Sequence, residues 1–319
     1  MKPVILYCIA TILTLNSVNA QNKVLDSSRY DELRILVEKE SWSIKGNPEN
    51  LLAYVKRADY KFQLNDIKGS IEDLNVVIKK IDDDPILYTR RAYAETLLKQ
   101  YDSAKSDYTM VIALTPHNSV ALTDRGITNC NLKLYKEARA DFDKAISINS
   151  RNENAYIKRA EIKYLSKDLK GAYKDYNSAS EINKEYAPTY KEMAQIATEL
   201  KEYKLAIKNY DQYLNLVPDY VEGYLKRGLC LYEGKDYKKA IADFDKAILA
   251  NLGKEEVYFK RGMSFFHLKN YALAIADLNR VIAMNDNNFT AKQVKETASK
   301  KLSATTKKKE EVVSIQKDL

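Results

Sequence analysis

"YLKRGLCLYEGKDYKKAIADFDKAI", from Tyr224 to Ile248, is answered 34 residues later by "YFKRGMSFFHLKNYALAIADLNRVI", from Tyr258 to Ile282. The Tyr, the Lys-Arg-Gly and the Ala-Ile-Ala-Asp fall in the same places in both. Outward from this pair the Arg recurs at the same step: Arg57, Arg91, Arg125, Arg159, Arg227 and Arg261 share one lattice, and Met193 fills the slot that lacks Arg. A fixed period of this length marks an array of helical repeats, each unable to bury its apolar face alone. Such an architecture presents surface, and this frames the search for function.

Counted from the Arg, the remaining slots have consistent chemistry. Three residues before it stand Tyr54, Tyr88, Leu122, Tyr156, Tyr190, Tyr224 and Tyr258. One after it come Ala58, Ala92, Gly126, Ala160, Ala194, Gly228 and Gly262, and thirteen after it Ser70, Ala104, Ala138, Ala172, Ala206, Ala240 and Ala274. Small residues at both slots let two helices approach closely. Four residues beyond the second small slot lie Leu74, Tyr108, Phe142, Tyr176, Tyr210, Phe244 and Leu278, one turn away on the same helix face. Sixteen residues after each Arg comes Asp73, Asp107, Asp141, Asp175, Asp243 or Asp277, and where Met193 replaces Arg the slot holds Asn209. Loss of both charges in one repeat points to Arg–Asp pairing within a repeat, with pairing to the next repeat as the rival. The fifth repeat is also irregular at Tyr213, a slot that elsewhere holds Val or Ala. A ring there is expected to part the helices or to point toward the neighbouring repeat.

These runs resemble tetratricopeptide repeats, and the resemblance spans Leu51 to about Asn287 without insertion or deletion. It implies an all-α, right-handed solenoid of seven 34-residue helix-turn-helix repeats. It also implies a concave groove lined by the first helix of each pair and holding a protein or peptide segment. The groove stripe implied by the family lies two before, two after and five after the Arg. Its candidates here are Tyr93, Ile157, Tyr164, Leu225, Leu229, Tyr232, Phe259, Met263 and Phe266, so that the groove reads as mixed at the start and apolar toward the end. Family members often clamp a partner's C-terminal carboxylate through Lys and Asn on adjacent first helices. Val55 and Asp59, Thr89 and Tyr93, and Thr123 and Ile127 occupy the corresponding slots, so that clamp is not expected.

The ends complete the organisation. Residues 21–50 read as an N-terminal half-repeat, with one helix over Tyr30–Ile44; residues 51–287 hold the seven repeats. Residues 288–302 are in phase as one more first helix, whose small slot holds Glu296, so it is expected to cap the array. Residues 303–319 lack a helical stripe and are expected to be a disordered charged tail. At the start, Lys2, the apolar run Val4–Leu15 and Val18-Asn19-Ala20 describe a signal peptide over residues 1–20. This predicts a protein that is exported, periplasmic or secreted, with no transmembrane segment in the mature chain. Retention of the run as an anchor is the alternative, for which it is short.

Net charge +8 and 24 Tyr could suggest nucleic acid. The lattice accounts for most of the Tyr and for the six Arg, and the remaining excess sits at Lys300, Lys301, Lys307, Lys308 and Lys309. Nucleic acid is therefore not expected as a partner, while the Lys-rich tail offers weak attraction to an anionic surface. Of three Cys, removal of the leader takes Cys8 and leaves Cys130 and Cys230, too many repeats apart to pair and read as small apolar residues. His117 and His267 stand alone, and no metal-ligand spacing, nucleophile elbow or phosphate-cradling loop occurs. The sequence thus predicts no catalysis, no metal and no cofactor. It points to a scaffold or adaptor of the cell envelope. The alternative is an envelope glycan-binding module that stacks exposed groove Tyr on sugar rings.

Overall fold

The computed structural model describes residues 27–317, with side chains described to residue 306. The leader expected over residues 1–20 lies outside the described residues. A lone helix, α1 (Ser27–Gly46), is followed by seven pairs. They are α2 and α3 (Leu51–Gln63, Ile67–Ile78), α4 and α5 (Pro85–Leu97, Tyr101–Leu114), α6 and α7 (Ser119–Asn131, Tyr135–Ile148), α8 and α9 (Glu153–Leu165, Leu169–Ile182). The series continues with α10 and α11 (Ala187–Glu199, Tyr203–Leu216), α12 and α13 (Val221–Glu233, Tyr237–Leu249), and α14 and α15 (Glu255–His267, Tyr271–Met284), and ends on α16 (Phe289–Lys317). No strand occurs among the described residues.

The helices form two compact units, one ending at Lys158 and one beginning at Arg159. In the first, each helix from α1 to α7 packs on the next in chain order; in the second, the same holds from α9 to α16. Local chemistry sets the helix ends. Asn50 and Asn118 accept hydrogen bonds from the first-turn amides of α2 and α6, and Pro85 begins α4 behind the cap Asp84. Asp66, Asp168 and Asp236 do the same for the second helices α3, α9 and α13.

Close approach within a pair comes from the small slots. Ala104, Ala138, Ala172, Ala206, Ala240 and Ala274 are fully buried, and Leu74, Tyr108, Phe142, Tyr176, Tyr210, Phe244 and Leu278 are buried beside them. The closest fit is at Gly126, where an added Cβ would stand 2.5 Å from the Phe142 ring; at Gly262 the nearest atom, the Asp277 Cβ, would be 3.2 Å away. Tyr213 is buried and meets Tyr220, at the start of the next repeat, edge-on at 5.3 Å. Its ring points to the neighbouring repeat and joins a cluster with Ala187 and Leu214.

The C-terminal segment differs from the sequence expectation. Residues 303–317, expected as a disordered tail, continue α16 to Lys317. Ala291, Val294 and Ala298 seat the first part of α16 against α15, whereas residues 303–306 are exposed all round. Helix there needs no apolar stripe. The stretch contains no Gly or Pro, and its Lys and Glu residues hold a helix at little entropic cost once the preceding turns exist. Glu296, in the slot that is small elsewhere, is exposed and pairs with Lys300 at 2.6 Å.

Gly126→Ala is expected to destabilise the protein by about 1–3 kcal/mol, because the fully buried Phe142 ring cannot yield. Gly262→Ala gains helix propensity against a mild contact and is expected to stay within about 1 kcal/mol of the parent. Urea titration followed by circular dichroism separates the two.

Candidate partner-binding face

The stripe two before, two after and five after the lattice Arg lies on the first helices. The first unit holds Tyr93, half-buried against Phe62 with ring centroids 5.7 Å apart, and Ile157. The second unit holds the rest. Gln195 donates to the Tyr164 hydroxyl at 3.0 Å, and that hydroxyl donates to the Glu199 carboxylate. The bond to Glu199 holds the Tyr164 phenol above its usual range. Leu225, Leu229 and Tyr232 pack against a core of Leu231, Ala240, Phe244 and Val257. Phe259 packs against Leu278, Val281 and Ala291 of the last pair and α16, and Met263 is half-buried.

All nine candidates are half-buried. Cations lie over the aromatic rings there. The Lys260 ammonium sits 4.3 Å from the centre of Tyr232 and also pairs with Glu233 at 2.8 Å. Lys301 of α16 sits 5.1 Å from Phe266, which stands edge-on to Tyr271. Such contacts are worth about 0.5–1 kcal/mol at exposed sites. They turn an aromatic stripe into a mixed surface of ring edges, ammonium groups and the polar trio of Tyr164, Gln195 and Glu199.

Behind this face runs the Arg lattice. Arg57 Nε and Nη2 donate to the two oxygens of Asp73 at 2.8 and 2.6 Å. The same two-pronged bond joins Arg91 to Asp107, Arg125 to Asp141, Arg159 to Asp175, Arg227 to Asp243 and Arg261 to Asp277, all between 2.6 and 3.0 Å. All six Asp are buried. Pairing is thus within the repeat and not to the next one, and the third nitrogen reaches a different slot, in the preceding helix. Nη1 of Arg57, Arg91, Arg227 and Arg261 donates to Ser41, Asn75, Asp211 and Asp245 at 3.0, 2.7, 2.7 and 2.6 Å. Each of these four guanidinium groups therefore joins its own two helices to the helix before them. For Arg227 and Arg261, the hydrogen bonds to Asp243 and Asp277 raise the guanidinium pKa above its normal value, with Asp211 and Asp245 adding to the shift.

Sequence reading missed the backward partner because its slot changes residue type from repeat to repeat. Its signal was hydrogen-bonding capacity alone, sixteen residues before each Arg. At Met193 the arrangement is rebuilt: Met193 is buried, Asn209 donates to the Tyr173 hydroxyl at 3.0 Å, and Asn177 turns to Glu181 at 2.7 Å.

A further variation surrounds Asp107. The residue four after the Arg helps hold the buried carboxylate as Lys61 (2.9 Å to Asp73), Asn129 (3.0 Å to Asp141) and Lys163 (2.7 Å to Asp175). In the second repeat that slot holds Glu95, buried, with Oε2 lacking a hydrogen-bond partner. Burial first, and Asp107 second, push its carboxyl up to about 7 against Arg91. In the first unit, Asp59 and Arg90 pair at 2.7 Å beside a depression lined by Leu52, Val55, Ile81 and Leu87, and burial raises the Asp59 carboxyl. Of the two thiols, Cys130 is half-buried and Cys230 is buried 3.3 Å from the Thr198 hydroxyl; burial pushes the Cys230 thiol up.

No metal-binding cluster and no helix long and apolar enough to cross a membrane occur among the described residues. Two tetratricopeptide repeat models match the chain, at residues 192–255 and 255–288. The helix pairs and lattice above extend the tetratricopeptide-like form of the matched residues from Leu51 to Met284. Similar folds occur in YrrB, a tetratricopeptide-repeat protein with an unusual peptide-binding site, which is 17% identical with a TM-score of 0.52 over 59% of this chain and 97% of that one. The C-terminal part of a repeat protein from Cytophaga hutchinsonii is 20% identical, TM-score 0.58, over 75% of this chain and 98% of that one. A repeat protein from Parabacteroides merdae is 15% identical, TM-score 0.52, over 78% and 98%. No curated protein matches the chain by sequence.

Arg227→Met is expected to cost about 3–5 kcal/mol, because it strands the buried Asp243; adding Asp243→Asn should return much of the loss. A double-mutant cycle by denaturant titration that shows no coupling would refute the pairing as an energetic unit. Glu95 gives a pH effect of defined sign. Its carboxyl titrates near 7 folded against 4.5 as reference, so the native state holds the extra proton between those values and loses stability as pH rises through 7. Glu95→Gln should remove that slope and stabilise the protein by about 2 kcal/mol at about pH 8, with little change at about pH 5.

Proposed function

We propose that this protein is a non-catalytic adaptor of the cell envelope, which holds a segment of another protein on the first-helix face of its repeats. A tetratricopeptide array supports a protein-interaction scaffold in general; the envelope setting and the residues used are the proposal. The observation that carries it is the Tyr164–Gln195–Glu199 trio, hydrogen-bonded on a half-buried stripe and accessible beside aromatic edges. Such a mixture offers hydrogen-bond acceptors to a peptide backbone and apolar edges to its side chains. The peptide-binding site of YrrB is a precedent on a similar fold. Export is supported by Lys2, the run Val4–Leu15 and Val18-Asn19-Ala20. A glycan reading is weakened by Lys260, which covers a face of the Tyr232 ring that a sugar would need.

Changing Tyr164 and Tyr232 together to Ala should abolish capture of a partner protein from an envelope fraction, while Lys239→Ala on a second helix leaves it intact. Pull-down with mass spectrometry gives the readout and circular dichroism checks the fold. Unchanged capture by the folded double variant would place the working surface elsewhere.

A further inference from the structure

One slot of the second helices changes character along the chain. Nineteen residues after the lattice Arg stand Val76 on α3 and Met110 on α5, and one period before Val76 stands Trp42 on α1. In the repeats that follow, the same slot holds Lys144, Ser178, Gln212, Lys246 and Arg280. A solvated helix face calls for such polar residues, so three apolar ones in succession at one end of the array depart from the pattern. They are open to solvent. Trp42, the only Trp of the chain, is 69% exposed, Met110 is 38% exposed, and Val76 is half-buried. Ile35, two turns before Trp42 on the same side of α1, is 66% exposed. Exposed apolar residues grouped in this way mark a surface that meets something.

Charges flank the row in a fixed order. Four residues before Trp42 and Val76 come Glu38 and Glu72, and three after them come Lys45 and Lys79. All four are exposed, and none makes an ion pair among the described residues; the Lys45 ammonium rests 4.8 Å from the centre of the Trp42 ring. Two helical turns, about 10 Å, part Glu38 from Lys45, so the two cannot satisfy each other within the chain. Lys80, beside Lys79, is already engaged by Glu49 at 3.4 Å, and Lys39 belongs to the slot of the lattice Asp, one period before Asp73. No later second helix carries Glu and Lys at these two slots. Rotation by half a turn about an axis along the row exchanges its acidic and basic sides. A second copy placed in that way sets apolar row on apolar row and each Glu opposite a Lys, so the surface is complementary to itself. A lipid surface or a polyanion would gain nothing from the acidic side.

We propose that α1 and α3 form the contact of a two-fold dimer of this chain, each helix lying antiparallel on its own counterpart. Trp42 and Val76 then fill the centre, while Glu38 and Glu72 meet Lys45 of the partner subunit and Lys79 of the partner subunit. The contact lies on second helices and does not depend on the partner-binding face. Sedimentation velocity of the full chain over roughly 1 µM to 1 mM should show monomer giving way to dimer. The Trp42 emission should move to shorter wavelength over the same range, as its ring leaves water. Trp42→Ala should weaken the dimer by roughly thirtyfold, as loss of a central aromatic anchor does. Two further variants test the pairing: Glu38→Lys with Glu72→Lys, and Lys45→Glu with Lys79→Glu. Each should stay monomeric alone, because like charges then face each other. Mixed in equal amounts they should form dimer again, since Lys on one copy meets Glu on the other along the whole row. Circular dichroism and thermal melting check that both are folded. A parent that stays monomeric with unshifted Trp42 emission leaves the row to another partner and overturns the proposal. A dimer that persists in either charge-reversed variant alone moves the contact elsewhere and overturns it too. Dimer lost in both variants and not regained on mixing overturns the antiparallel arrangement.

Discussion

The arrangement rests on the guanidinium that six of the seven repeats carry, held by two nitrogens to a buried carboxylate and, as in Arg227, by the third to the helix before. Small residues bring two helices together, but apolar contact alone leaves rotation and sliding of the pair loosely defined. A planar donor set facing two carboxylate oxygens fixes both, since only one registration brings both bonds to length. The desolvation cost of burying Asp243 or Asp277 means that the pairs specify geometry more than they add stability. Met193 and Asn209 illustrate the point. There the charges are gone, and a Tyr173 hydroxyl takes the amide.

The partner-binding face inherits its character from this frame. With the Arg turned inward, the slots on its flanks face the other way and are free to vary. The first unit has Asp59 and Tyr93 there, and the second has Tyr164, Tyr232 and Phe266. Their half-burial follows from helix spacing, because each ring leans on the following repeat or on its own turn. Lys260 and Lys301 then cover ring faces from the next first helix and from α16. Where ring faces are covered in this way, the proposed partner would be selected by hydrogen bonds and charge as much as by burial.

Much of the fold was legible in the sequence because the period is strict. The Arg and Asp, sixteen residues apart in six repeats, carried the pairing in plain view. Other features were hidden for separable reasons. Ser41, Asn75 and Asp211 share a slot but only one property, the ability to accept from an N–H, so no single residue type repeats. Glu95 was readable as an exception to Lys61 and Lys163, provided that the role of those lysines toward Asp73 and Asp175 was known. The cations over Tyr232 and Phe266 depend on side-chain direction, which a helical slot does not determine. Beyond Leu302 no apolar stripe marks a helix, because α16 continues there without burying a face.

The reach of the guanidinium also sets a unit of permissible editing. Every bond it makes spans sixteen residues, forward or backward, so its two partners belong to second helices one full period apart. Within either unit, removal or duplication of a whole period rejoins each Arg to a valid acceptor on both sides. A single inserted residue in a second helix rotates the Asp by about 100° and drops the pair from reach. Such a chain can grow or shrink by whole repeats over evolutionary time while resisting changes of any smaller size.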